Sequence, residues 1–223
     1  MNILLIYTHP NHNSLCHAML EQVQHGLGAH VHHNRIETKT IDLYAEGFHP
    51  ALLFNEHKRR RDMHRDPELE LYRERVRWAD QLVFIYPIWW GRPPAMLLGF
   101  FDRMMASGFA YRHRKPYDLL PEGLLQGKSV VCISTMKGPS GYLQLWLGNA
   151  HRILMRRALF NYIGIRKVKF WEFGGMEQAH GKQRQKLERV YRYFRDLRLV
   201  SENNITLNGA ESEASAGAKQ SLG

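Results

Sequence analysis

Gln81-Leu-Val-Phe-Ile-Tyr-Pro-Ile-Trp-Trp-Gly-Arg-Pro-Pro-Ala95 decides the fold. From Leu82 to Tyr86 the run is continuously apolar rather than alternating, as in a strand covered on both faces. Pro87 ends it. Pro93-Pro94 then opens a helix with Ala95, Leu98, Phe101 and Met105 on one side. Two other runs have the same character: Asn2-Ile-Leu-Leu-Ile-Tyr7 and Ser129-Val-Val-Cys-Ile-Ser134.

Amphipathic stretches separate these runs. After Ser14, a good N-cap, Leu15, Met19, Val23 and Leu27 form one stripe, and Gly26 and Gly28 mark its end. Pro67 opens a helix carrying Leu69, Tyr72, Val76 and Ala79. Gly108 closes the helix that begins at Pro93-Pro94. A weaker strand falls between His30 and Leu43, a helix between Leu143 and Tyr162, and a last strand between Val168 and Phe173. Leu187, Val190, Tyr191, Phe194 and Leu197 line a final helix. The alternation predicts an α/β fold: a doubly wound, five-stranded parallel sheet with helices on both faces.

The 223 residues suit one domain, residues 1–200. Residues 201–223 hold almost no large apolar side chain, and a disordered polar tail is expected. The long polar connection from Tyr44 to Asp66 is expected to be functional or mobile. No apolar run approaches bilayer length, no basic leader precedes the first strand, and only Cys16 and Cys132 occur, so a cytoplasmic location is expected. Cys132 reads as packing. Cys16 sits on a first helical turn, where a thiol pKa tends to fall, but with no base beside it the structural role is preferred.

The net charge is +10. The cationic clusters (Lys58 to Arg61, the group Arg152, Arg156 and Arg157, and Lys182 to Arg198) read individually as solvated helix faces. Their summed field would attract anionic cofactors. No nucleic-acid module is present, so nucleic acid is not an expected partner. His9, His12 and His17, or His30, His32 and His33, lack companion ligands in a closed spacing, and no metal site is expected.

In doubly wound sheets the chemistry gathers beyond the carboxyl ends of the strands. Three loops lie there. His9-Pro-Asn-His-Asn-Ser14 leads into a helix N-terminus, where free N–H groups bind phosphate; a plain N-cap would look the same. Pro87 to Ala95 carries adjacent tryptophans, Trp89 and Trp90, which suit either an aromatic cofactor's wall or the core. Ser134-Thr-Met-Lys-Gly-Pro-Ser-Gly-Tyr142 lets the backbone approach a ligand, or is a mobile surface loop.

The stretch from Tyr86 to Tyr111 resembles the central signature of the NAD(P)H:quinone oxidoreductases, the DT-diaphorase-like flavoproteins. Pro87, Trp90, Pro94, Ala95, Gly99, Asp102, Arg103, Gly108, Phe109, Ala110 and Tyr111 carry the likeness. His9-Pro10 with Ser14, and Asp42-Leu-Tyr-Ala45 through Phe48-His-Pro50, are similar to the family's flanking segments. The resemblance implies a flavodoxin-like fold, a held flavin (FAD first, FMN second), NAD(P)H as reductant, a quinone or other small acceptor, a homodimer and a two-electron ping-pong reaction.

By position it implies that His9, Asn13, Ser14, Leu15, Cys16 and Ala18 hold the flavin's phosphate end. Pro87, Ile88, Trp89 and Trp90 would line the ring, and Ser134, Thr135, Met136 and Lys137 its far edge. Tyr142 fits the family's catalytic tyrosine, while Tyr111 and His113 would face a substrate pocket, that of a neighbouring subunit included. Cys16 replaces a common asparagine, Met136-Lys137 a usual glycine pair, and Gly91 a common aromatic, which would widen the pocket. The family's histidine partner has no match at its spacing; His151 lies further along. The second expectation is a regulatory flavoprotein subunit docking on a membrane potassium-efflux transporter, its basic surface, with the Lys58 to Arg65 cluster in a long loop, meeting an anionic partner or making peripheral contact with the membrane.

Overall fold

In the computed structural model, residues 1–33, 35–56, 59–115, 121–139, 141–175 and 180–197 are described. The expected tail, Lys58 and Ser140 lie outside them. Five strands form one sheet: β1 (Asn2–Tyr7), β2 (Glu37–Asp42), β3 (Gln81–Pro87), β4 (Ser129–Thr135) and β5 (Lys167–Phe173), in the order β2-β1-β3-β4-β5. Every pairing is parallel, with Leu5 opposite Val83, Phe84 opposite Cys132, and Cys132 opposite Phe170. The chain leaves β1 to one side for β2 and to the other for β3, which puts the topological switch point between β1 and β3.

The helices are α1 (Leu15–His32), α2 (Glu70–Trp78), α3 (Ala95–Met104), the short α4 (Tyr142–Leu145) and α5 (Ala150–Arg152), and α6 (His180–Arg195). The uninterrupted apolar runs have the expected consequence: β1, β3 and β4 are buried on both faces. On one face Met19 and Val23 of α1 and Val190 and Phe194 of α6 pack on Ile3, Leu5, Val83 and Ile85. On the other, Val76, Leu97, Phe100, Met155 and Phe160 pack on Leu4, Leu82, Phe84 and Val130.

Three boundaries differ from expectation, each for a physical reason. Helix α1 does not stop at Gly26 and Gly28 but continues to His32. A Cβ on Gly26 would come within 2.6 Å of the Tyr191 carbonyl, so this glycine admits a helix crossing rather than ending a helix. Since α1 takes residues to His32, β2 is confined to Glu37–Asp42. The single helix expected from Leu143 to Tyr162 is interrupted, because Gly148 and Asn149 adopt φ of 53° and 60° between α4 and α5. The chain after α5 runs on as a π-helix, Ile153–Phe160, a rare form that concentrates at functional sites.

The described residues of the connection from Tyr44 to Asp66 are held at both of its ends. Fully buried Arg73 donates to the carbonyls of Met63 and Asp66 and to Glu70. Arg103 donates to the His49 carbonyl at 2.7 Å and to Glu68. Pro50 lies directly on Gly99 of α3, where an added Cβ would fall 2.2 Å from the Pro50 carbonyl oxygen. Backbone cannot yield there as a side-chain tip can. Gly99→Ala is therefore expected to cost about 1–3 kcal/mol as an overpacking change. At roughly 2–4 °C per kcal/mol the melting temperature falls by several degrees. An unchanged melting curve would show that this contact does not fasten the connection.

Candidate functional site

The three loops meet. After β1, Thr8 N donates to the Ile85 carbonyl at 2.9 Å. The loop then folds on itself: Asn11 N donates to His9 Nδ1 at 3.0 Å, and Asn13 N to Asn11 Oδ1 at 2.8 Å. Ser14 Oγ accepts from His17 N at 3.2 Å, so it is the N-cap that its residue type suggests. Tyr7 OH lies 3.4 Å from the same Oγ. Burial pushes the Tyr7 phenol up to about 12, against the opposing pull of Ser14, so it is a neutral donor at physiological pH.

The second loop is a tight turn. Trp89 N donates to the Arg92 carbonyl at 3.1 Å, and Arg92 N returns the bond at 3.2 Å. Between them Trp90 and Gly91 have φ of 54° and 71°, as in a type I′ turn. The left-handed region costs a bulky side chain about 1–3 kcal/mol, strain of a kind that gathers at functional sites. Trp90 is 95% exposed, which rules out the core for that indole. A Cβ on Gly91 would fall 2.5 Å from Leu147 Cδ1, so the residue is a seat for the segment after α4.

The third loop joins the other two. Ile88 N donates to the Thr135 carbonyl at 2.8 Å, and Met136 N to the Phe173 carbonyl at 2.9 Å. Thr135 Oγ1 lies 3.0 Å from Cys16 Sγ, joining the strand end to the first turn of α1. That turn does not activate the thiol. Burial pushes Cys16 up to about 12, while the bond to Thr135 only partly opposes it, and burial raises Cys132 as well. With both thiols buried and held protonated, iodoacetamide at pH 8 should label neither cysteine in the folded protein. Rapid alkylation of Cys16 at pH 8 would contradict this burial.

A cavity of about 380 Å³ opens where the loops converge, lined by His9, Ser14, Leu15, Cys16, Pro87, Ile88, Trp89, Thr135, Met136 and Lys137. In its wall the His9 and Trp89 rings pack on each other, centroids 6.0 Å apart and planes inclined at 60°. Ten of the fourteen residues singled out for a cofactor thus share one wall. The other four stand back. Asn13 is exposed, Ala18 lies a turn along α1, Trp90 projects to solvent, and Ser134 is wholly buried. The hydroxyls of Thr8 and Ser134 are buried at the ends of β1 and β4 with no hydrogen-bond partner among the described residues. The first N–H groups of α1 have no intrahelical acceptor.

The residues expected to act on substrate are dispersed. Tyr142, half exposed, begins α4. Tyr111 and His113 lie elsewhere: Tyr111 pairs with Gly123, shortly before β4 starts, and its ring packs 4.9 Å from Tyr162. They are near the edge where the strands begin, away from this chain's own cavity.

One constellation has no counterpart in the sequence reading. His151 Nε2 is 2.8 Å from Tyr86 OH, and its Nδ1 is 2.8 Å from Glu172 Oε1. Arg152 and Gln144 donate to the other Glu172 oxygen at 2.8 and 3.3 Å. Glu172 drew no notice because it stands in an ordinary edge-strand run, with nothing in its neighbours to mark it. Among the described residues no group of three or more His, Cys, Asp or Glu would hold a metal ion, and no helix is long and apolar enough to cross a membrane.

Comparison with known proteins gives this geometry a context. A family model described as a flavodoxin-like fold matches residues 1–196. An uncharacterized NAD(P)H oxidoreductase of Haemophilus influenzae is 28% identical over 190 residues, covering 83% of this chain and 89% of that protein. An FMN-dependent NADH:quinone oxidoreductase of Pseudomonas savastanoi is 35% identical over 107 residues, 47% of this chain and 48% of that one. Among solved structures, Smu.1420 from Streptococcus mutans superposes with a TM-score of 0.78 at 37% identity, over 88% of this chain and all of that one. An NAD(P)H:quinone oxidoreductase from Methanothermobacter marburgensis superposes with a TM-score of 0.73 at 25% identity, over 89% and 96% of the two chains.

Proposed function

Because the chain belongs to the flavodoxin-like fold family, with relatives named as NAD(P)H oxidoreductases and quinone reductases, we propose that it is a flavin-dependent NAD(P)H:quinone oxidoreductase. The convergence of the loops after β1, β3 and β4 on one cavity carries this reading. The residues present fit a flavin. The N-terminal turn of α1 suits its phosphate. Trp89 and Ile88 offer an apolar wall to its ring, and Thr135, Met136 and Lys137 line the side formed by the third loop.

Within that reading FMN is the better occupant. FAD would need a further groove for its adenylate. The cavity lining includes no residue of β2, where His12 closes on Asp42 at 2.8 Å. The flavin, when bound, supplies two-electron chemistry between NAD(P)H and a quinone; the protein supplies position and electrostatics. Ser14 and the first turn of α1 anchor the phosphate end. Trp89 supplies a flat apolar face to the cavity wall, with the His9 ring packed against it. Lys137 brings positive charge to the third loop's side of the cavity, where it would favour an anionic ring.

Tyr111 and His113 serve a pocket only if a second copy brings them to it, so the working enzyme is proposed to be a homodimer. Exposed Trp90, Leu145 and Trp146 supply apolar surface suited to such a contact. The test is steady-state reduction of menadione by NADH or NADPH with purified protein and added FMN. Turnover of about 1 per second or faster is expected. Turnover a hundredfold lower with both reductants would overturn the assignment.

A further inference from the structure

We propose that the buried chain Tyr86–His151–Glu172 is a positioning device for the tryptophan turn, with His151 as its pivot. Tyr86 is fully buried, the Glu172 side chain is 2% exposed and His151 1% exposed. A carboxylate so enclosed is tolerated only when its oxygens are used, and here His151, Arg152 and Gln144 use them. With Glu172 ionised beside Arg152, the His151 Nδ1–H donates to it, which leaves Nε2 to accept from the Tyr86 hydroxyl. Packing alone would not require this. Three apolar side chains would fill the same space, whereas a satisfied polar chain selects one arrangement.

What it selects follows from where the partners sit. Tyr86 immediately precedes Pro87 and Ile88, two residues of the cavity wall. Gln144 and Arg152 bracket the segment that bends at Gly148 and Asn149. Leu147 lies within that segment and meets Gly91 of the Trp89–Arg92 turn. Glu172 therefore holds both supports of the turn: the strand that leads into it, through His151 and Tyr86, and the segment on which its tip rests, through Gln144 and Arg152. The strained φ of Trp90 needs such over-determination to persist. The turn's stability is in this account a property of the buried chain, and the flavin reading enters only when the consequence for binding is considered.

The test uses the full-length protein and three variants. Tyr86→Phe removes one hydroxyl and keeps the ring, and His151→Gln shortens the chain at its pivot. Arg73→Met is the control: it breaks a different buried cluster, at the connection before α2, and lowers global stability without touching the chain. Amide hydrogen exchange at Trp89 and Arg92, whose N–H groups close the turn, is measured without flavin, and FMN affinity is measured separately. In Tyr86→Phe and His151→Gln, exchange at both amides should accelerate about tenfold, since a buried partner is left unpaired, and FMN should bind about tenfold more weakly. Arg73→Met should leave both quantities within about twofold of the wild type. Unchanged exchange in the first two variants would overturn the proposal, as would equal acceleration in the control. If the wild type takes up no FMN, the functional assignment fails, and the exchange data still decide this inference.

Discussion

Ser14→Asp is expected to yield a folded protein that takes up no flavin at micromolar concentration. Aspartate is as good an N-cap as serine, so α1 loses nothing. The change adds a full negative charge at the helix terminus proposed to receive a phosphate. Two unit charges about 4 Å apart repel by about 4 kcal/mol at the effective dielectric of a partly exposed site. Flavin affinity should therefore fall roughly 100- to 1,000-fold, while the melting temperature of the flavin-free protein stays within about 2 °C of the wild type. Titration followed by quenching of FMN fluorescence measures the first quantity and calorimetry the second. A variant that binds FMN as tightly as the wild type would remove the phosphate from this end of the cavity.

Glu172→Leu should be the most damaging single change to stability. It leaves the His151 ring and the Arg152 guanidinium facing an apolar side chain where a carboxylate joined them. Removing one partner of a buried pair costs about 3–5 kcal/mol, or roughly 10 °C in melting temperature for a chain of this size. The pH dependence has a definite sign. Burial alone would raise the Glu172 carboxyl, but the hydrogen bonds from His151 and Arg152 outweigh it and hold the group below its usual value. A lowered folded-state pKa contributes stability that is present above the unfolded carboxylate value, about 4.3, and is lost as pH falls through the folded value. Acid melting of the wild type should include this loss; Glu172→Leu, already deprived of it, should depend less steeply on pH in that range. Equal slopes would mean that Glu172 is not held ionised by its partners.

The sheet was legible because three strands are uninterrupted apolar runs, and such runs have one physical explanation, cover on both faces. Leu82 to Tyr86, Ile3 to Tyr7 and Val130 to Ser134 are all buried as those runs require. The edges were harder. β2 reads Glu-Thr-Lys-Thr-Ile-Asp, with a single fully buried residue, so its bounds depended on where α1 ended. The glycines in α1 misled because a glycine that ends a helix and one that lets another helix approach look alike in sequence. Gly26 is the second kind, and only its neighbour Tyr191, far along the chain, distinguishes them.

The site was legible at the level of loops, since topology dictates that strand tips converge, and less so at the level of side chains. Trp89 and Trp90 are adjacent, and nothing local reveals that one lines a cavity while the other projects to solvent; the I′ turn separates them. Cys16 was placed correctly on a first helical turn and read as structural for want of a base beside it; burial under the surrounding sheet, which the sequence does not reveal, raises its thiol further, with the bond to Thr135 opposing only in part. The Tyr86–His151–Glu172 chain links residues from three distant segments, and no spacing rule connects them.

The most direct measurement is to heat-denature the purified protein, pass the supernatant through reversed-phase chromatography and quantify what is released. The arrangement of the three loops predicts one FMN per chain, or full occupancy after incubation with FMN and gel filtration. A protein that stays colourless through that incubation, with its fold intact by circular dichroism, would contradict the account at its centre.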